Sequence, residues 1–181
     1  EAEETIIIKY GHSGTLEGLH GVASTKFKEL AEEYSDGRIE VQLFPNNQLG
    51  SEQEAFQGSR IGTLEMTDGA VNNLTPFAPA VGFLSFPYMF ETREQAYTIL
   101  DGEIGEELQE IVIDQAGVRI LGFLEGGFRV LTNSERPVTM IDDLPGLRIR
   151  VPNNSIMVDT WKAFGINPTA LPWPEVFTAL Q

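Results

Sequence analysis

The chain has 181 residues, with 27 acidic against 12 basic side chains, two histidines, no cysteine and a formal charge of −15. At 41% hydrophobic and 22% charged it has globular composition with room for a sizeable core, and its length allows one domain or parts of two. The acidic excess excludes a nucleic-acid surface, which needs Lys and Arg to neutralise phosphates, and the missing cysteine excludes disulfides, thiolate catalysis and zinc–thiolate sites.

The lack of thiols fits an export compartment. The opening Glu1-Ala2-Glu3-Glu4 carries no charged-then-apolar leader, so a signal peptide is expected to have been removed already. No apolar run approaches the roughly 20 residues that cross a bilayer.

In chain order, Ile6, Ile7, Ile8 and Tyr10 ahead of Gly11 predict a buried strand. After a glycine-dotted turn, Leu19, Val22, Ala23, Phe27, Leu30, Ala31 and Tyr34 recur at helical spacing and predict an amphipathic helix. Ile39, Val41 and Leu43 alternate with Glu40 and Gln42 as a strand. Ser51 with Glu54 forms a capping box that starts a second helix. Leu64 and Met66 suggest a third strand running into Thr67-Asp68-Gly69.

Strand, helix, strand, helix, strand is the order of parallel crossover units, so the class is α/β. Residues 77–90 are too apolar and proline-rich for a free loop and are expected to cross the core as irregular structure. Residues 93–100 and 104–113 read as helices, and residues 118–124 and 128–132 as strands around Gly126-Gly127. No internal repeat is visible.

The arginines are concentrated. Residues 119–150 hold five of them against four acids, while the rest of the chain has seven bases and 23 acids. In Gly146-Leu147-Arg148-Ile149-Arg150-Val151-Pro152, Leu147, Ile149 and Val151 share one strand face, and Arg148 and Arg150 the other. A guanidinium fork matches a carboxylate in planar, bidentate fashion, so Arg150 and Arg129 are candidates for carboxylate capture. The alternative for both is a surface ion pair of under about 1 kcal/mol. Trp173, in Leu171-Pro172-Trp173-Pro174, reads by default as a core residue.

Enzyme and metal motifs fall short. Gly11-His12-Ser13-Gly14-Thr15 approaches a nucleophile elbow but puts Thr15 where a glycine belongs, and the one downstream histidine, His20, lies seven residues past Ser13 in the same turn-and-helix segment. A glycine-rich turn leading into a helix is the better reading. Asp101-Gly102-Glu103-Ile104-Gly105 starts like a calcium loop, but Val112 stands where a bidentate glutamate is needed, so it reads as a solvated helix start. There is no Walker cradle and no dinucleotide fingerprint. His12 and His20, eight apart, lack the spacing of a helical zinc pair and read as polar surface or pocket residues. No cofactor, metal or catalytic residue is expected.

Several segments resemble, in order, the solute-binding proteins of TRAP transporters, the DctP family. They are Phe44-Pro45-Asn46-Asn47-Gln48-Leu49-Gly50, Gly62-Thr63-Leu64-Glu65-Met66, Phe86-Pro87-Tyr88-Met89-Phe90, Gly127-Phe128-Arg129, the Gly146 to Asn153 run, Trp161 to Thr169 and Glu175 to Gln181. The resemblance implies a two-lobed α/β periplasmic binding protein fold with a hinged cleft (type II-like). Its function would be to capture a small carboxylate, a sugar acid or C4-dicarboxylate, as a monomer in the periplasm and deliver it to membrane permease subunits.

Carried over residue by residue, Arg150 stands at the carboxylate-pairing arginine and Arg129 at a second cleft arginine. Trp173 matches an aromatic pocket position. Ser13, His12, Asp68 and, more weakly, Glu52 fall on first-lobe segments that reach the ligand. Family members continue past the Thr-Ala-Leu-Gln element, so the chain is expected to be C-terminally truncated, with residues 1–126 in the first lobe and 127–181 beginning the second. Two other readings stand beside this one: a serine hydrolase using Ser13, and a ligand-sensing domain of a signalling protein.

Overall fold

A computed structural model describes residues 4–181. The chain packs as two compact units, one running to Asn73 and one from Leu74.

In the first unit, β1 (Ile6–Gly11) lies between β2 (Ile39–Phe44) and β3 (Met66–Thr67), parallel to both. Helix α1 (Leu19–Tyr34) connects β1 to β2, and α2 (Glu52–Arg60) connects β2 to β3, the crossover order that the sequence predicts. The capping box forms as expected. Ser51 Oγ accepts from the Glu54 amide, and the Glu54 carboxylate accepts from the Ser51 amide at 2.8 Å.

Burial departs from the periodicity. Ile6 and Ile7 are 59% and 46% exposed, and burial along β1 becomes complete only at Tyr10, because α1 packs chiefly on β2. On α1 the buried positions are Gly21 and Ser24, while Leu19 and Val22 stand in solvent. The helix approaches the preceding turn so closely that a Cβ on Gly21 would sit 2.2 Å from Leu16 Cα and 2.3 Å from the Thr15 carbonyl oxygen. Only glycine fits there.

In the second unit, the expectation that residues 77–90 cross the core as irregular structure holds only in part: the buried stretch is a regular 3-10 turn, and residues 86–89 are exposed, Tyr88 at 93%. A 3-10 helix, Pro79–Ser85, buries Val81 and Gly82 beside the buried Ala78, and packs on α4. Helix α3 (Arg93–Leu100) starts at a Thr92 cap, and α4 (Glu103–Ala116) buries Leu108, Val112 and Ala116. Gly117, at φ 70°, ends α4 in the left-handed conformation that lets a helix stop. Asp101 ends α3, Gly102 precedes α4, and Asp101, Glu103 and Ile104 are exposed, in keeping with a solvated helix start.

The strands expected at 118–124 and 128–132 do not form. Both stretches are irregular and largely exposed. Their β-rich composition meets no ladder partner among the described residues, and a strand exists only through its pairing.

Regular structure resumes where the arginine-bearing segment was expected to be a strand. The two-residue strand β4 (Arg150–Val151) pairs in parallel with β5 (Thr169–Ala170) across helix α5 (Ser155–Ala163), and a short α6 (Val176–Ala179) closes the chain. Leu147, Ile149 and Val151 are buried with Leu144 and Ile166, and Met157, Trp161 and Phe164 pack against them. The buried Asn154 caps α5 by accepting from the Met157 amide at 2.9 Å.

Candidate functional site

Parallel strands present ligand sites at their carboxyl ends, and the first unit places its polar side chains there. Beyond the ends of β1 and β3, and at the start of α2, a shallow crevice is lined by His12, Ser13, Glu52, Thr67 and Asp68, with Asn47 at its side. Four of the residues singled out from sequence thus meet. Thr67 Oγ1 donates to the Gly11 carbonyl at 2.9 Å and ties the two strand ends together.

Glu52, the weakest of the sequence candidates, organises one wall. Its Oε1 accepts from Ser13 Oγ at 2.6 Å, and its Oε2 accepts from the Ala70 amide and Asn73 Nδ2, each at 2.7 Å. Three donors fix the carboxylate of an α2 first-turn residue, where the helix dipole also favours negative charge. Ser13 is therefore bonded to a carboxylate and not to the histidine that a nucleophile elbow requires.

Asp68 organises the other wall through Tyr10, which sequence reasoning took for an apolar strand residue, and His20, which it read as a surface or pocket residue. Tyr10 Oη donates to Oδ2 at 2.7 Å, and His20 Nδ1 meets Oδ1 at 2.6 Å. The bond to Asp68 raises the His20 pKa above the ordinary histidine value, against the opposing effect of burial, with the charges of Asp68 and Glu52 adding to it. Burial, then the bond to Asp68, pushes the Tyr10 phenol far above its usual range. Asp68 is an acceptor only, so both neighbours donate to it.

His12 is buried, 4% exposed, and stacks on His20 with ring centroids 6.2 Å apart. Its Nε2 lies 3.1 Å from Ser24 Oγ, which also donates to the Gly21 carbonyl at 3.1 Å. Nδ1 is buried and makes no hydrogen bond to a side chain. Burial lowers the His12 pKa, outweighing Asp68 and the Gly14 backbone, which act the other way. Charging His12 therefore costs stability as pH falls below the ordinary histidine range.

The second unit carries the other cluster. Arg150 is half-buried on β4, while Arg148, which falls outside that two-residue strand, is exposed. Arg150 donates from Nε to the Leu171 carbonyl at 2.9 Å, and from Nη2 to the same oxygen. Its Cζ stands 5.8 Å from the centre of the Trp173 ring, a cation–π arrangement. Trp173 is 59% exposed, so the default reading as a core residue gives way to an aromatic surface under a guanidinium. Arg129 is exposed in the irregular stretch after Gly127.

Among the described residues no group of three or more His, Asp or Glu side chains could hold a metal ion, and no helix is long and apolar enough to cross a membrane. The hydroxyl, carboxylate and guanidinium groups can bind a polar, anionic molecule by hydrogen bonds and charge.

Parallel α/β units with polar groups at strand ends and an arginine on an aromatic suit the binding of a small polar solute. The family model of DctP, bacterial extracellular solute-binding protein family 7, matches residues 10–181, and the chain belongs to that family. A solute-binding protein of Roseobacter denitrificans is 38% identical over 98% of this chain and 54% of its own length. The 2,3-diketo-L-gulonate-binding periplasmic protein of Escherichia coli is 33% identical over 96% of this chain and 53% of its own. The chain thus spans about half the length of these curated relatives.

Two crystal structures of TRAP periplasmic solute-binding proteins share its fold. The Roseobacter denitrificans protein, holding L-galactonate, matches with a TM-score of 0.92 at 38% identity, over 99% of this chain and 59% of that one. The Polaromonas protein, holding D-erythronate, matches with a TM-score of 0.92 at 34% identity, over 97% of this chain and 58% of that one. The family and these neighbours are binding proteins.

Proposed function

We propose that the full-length protein is a periplasmic, monomeric receptor of a TRAP transporter that captures a small organic acid and hands it to membrane permease subunits. Polyhydroxy sugar acids are favoured over C4-dicarboxylates. Residues 1–126 form the first lobe and 127–181 begin the second, and each lobe supplies one set of ligand contacts.

The observation that carries this reading is Arg150, a half-buried guanidinium held by the Leu171 carbonyl over the face of Trp173. That geometry pre-orients a planar donor fork for a carboxylate, with Arg129 as a second cation. Ser13, Glu52 and Asp68 supply groups that bond ligand hydroxyls, and a site built for hydroxyls penalises acids lacking them. A second carboxylate placed against Glu52 and Asp68 would be repelled, which favours sugar acids over dicarboxylates. The ligands held by the two TRAP relatives, L-galactonate and D-erythronate, are hydroxy acids. Ser13 bonds to Glu52 instead of a histidine, so capture and release, without covalent turnover, is the reading the geometry supports.

Calorimetry of the full-length protein with L-galactonate, D-erythronate and succinate tests this. The hydroxy acids are expected to bind more tightly than succinate. Arg150→Ala should weaken binding by about 2–5 kcal/mol, thirtyfold or more, because a desolvated carboxylate loses its partner. Binding of the variant within about threefold of the unaltered protein, against the same principle, sinks the assignment.

A further inference from the structure

The crevice of the first unit poses an electrostatic problem for an anionic solute. Its lining carries two carboxylates, Glu52 and Asp68, and no lysine or arginine. Two negative charges in a partly desolvated site repel a third. His20 does not line the crevice, yet its ring packs against Gly14, where an added Cβ would meet it at 3.0 Å, and its Nδ1 bonds Asp68 Oδ1 at 2.6 Å. Tyr10 fixes the other oxygen of the same carboxylate.

We propose that His20 is a positioning residue of the ligand site, whose imidazolium holds the Asp68 carboxylate in one rotamer and cancels its charge, so that a hydroxy-acid anion is accepted beside it. This rests on the receptor reading above and assigns that site a residue and a pH dependence. The ligand touches Asp68, and His20 acts through it.

The titratable groups facing His20 are Asp68 after β3, Glu52 on α2, and His12 and Tyr10 at the end of β1. Tyr10 stays neutral through the working range, and buried His12 resists protonation. Both carboxylates favour the charged form of His20. Its positive charge is present at low pH and is lost as pH rises through its raised pKa, which leaves Asp68 uncompensated. Affinity for an anion therefore falls in the same interval.

Calorimetric titration of the full-length protein with L-galactonate between about pH 6 and about pH 9 reads this out. The unaltered protein is expected to lose about tenfold in affinity across that interval. His20→Gln should bind about tenfold more weakly at the acid end and show a profile flat to within about threefold. A His20→Gln profile that tracks the unaltered protein overturns the inference.

Should that variant fail to fold, NMR titration of the His20 ring in the unaltered protein decides instead. Saturating L-galactonate should raise its midpoint by about one pH unit, the linked counterpart of a tenfold affinity difference. An unmoved midpoint overturns the inference. Binding with a flat pH profile sinks this inference and leaves the receptor reading standing, whereas failure to bind any of the acids at any pH sinks both.

Discussion

The polar crevice of the first unit and the arginine cluster of the second treat charge in opposite ways. In the crevice each carboxylate is satisfied several times over: Glu52 by Ser13, Ala70 and Asn73, and Asp68 by Tyr10 and His20. Those bonds join the turn after β1, the start of α2 and the end of β3, so the site and the fold share the same contacts. Arg150 instead projects from a two-residue strand and leans on a backbone carbonyl and an exposed ring. Its supporting core, Leu147, Ile149 and Val151, lies on the opposite strand face. Fold and site are intertwined in the first unit and separable in the second.

Four substitutions in the full-length protein, read by urea unfolding, test that separation. Gly21→Ala should be the most damaging, about 3 kcal/mol or more, because the new methyl collides with the backbone of Thr15 and Leu16 and no rotamer relieves it. An unfolding midpoint equal to that of the unaltered protein would mean the turn can move away. Leu147→Ala, at a position 5% exposed, should cost about 2–4 kcal/mol through the cavity it leaves. If Arg150 is separable from its core, the variant still binds L-galactonate in the absence of urea; lost binding by a folded variant contradicts the contrast drawn here.

Glu52→Ala strips partners from Ser13, Ala70 and Asn73 and should cost about 2 kcal/mol, with binding weakened as well. A change in binding with no change in stability would show that crevice and fold are less intertwined than their shared bonds indicate. Ser51→Ala removes the α2 cap and should cost about 1 kcal/mol. Because α2 carries Glu52 in its first turn, a small loss of affinity should accompany it, measurable by the same titration.

The parts of the molecule legible in the sequence are those governed by local rules. The Ser51 and Glu54 capping box, the Arg93–Leu100 helix and the alternation of Leu147, Ile149 and Val151 with the two arginines each depend on neighbours a few residues away. What escaped depends on distant segments. Residues 118–124 have strand composition, but composition supplies no ladder partner. Val22 has the spacing of a core residue, yet the helix is turned to bury Gly21 and Ser24, where close approach to the preceding turn decides the packing.

The site shows the same division. Arg150 stood out in the sequence through its alternation with Leu147, Ile149 and Val151 and through its family resemblance, and it lies half-buried against Leu171 and Trp173. Tyr10 looked like one more apolar strand residue, and its phenol has no local signal pointing to Asp68. His20 read as a polar surface or pocket residue, with no local signal to choose between the two. Each reaches Asp68 across a long sequence separation, 58 positions for Tyr10 and 48 for His20. Glu52 carried a weak signal because its role lies in bonds to Ser13, Ala70 and Asn73, which spacing alone does not reveal.

That long reach fixes when the crevice can come into being. A chain emerging from the ribosome can wind α1 early, since helical bonds are local. It cannot assemble the Tyr10–Asp68–His20 network until residue 68 has been synthesised and brought back to the first strand, and closing a loop of that size carries an entropic cost before any bond forms. Completion of this crevice is thus a late event in biogenesis, and the amide protons of α1 should gain exchange protection before those of β3.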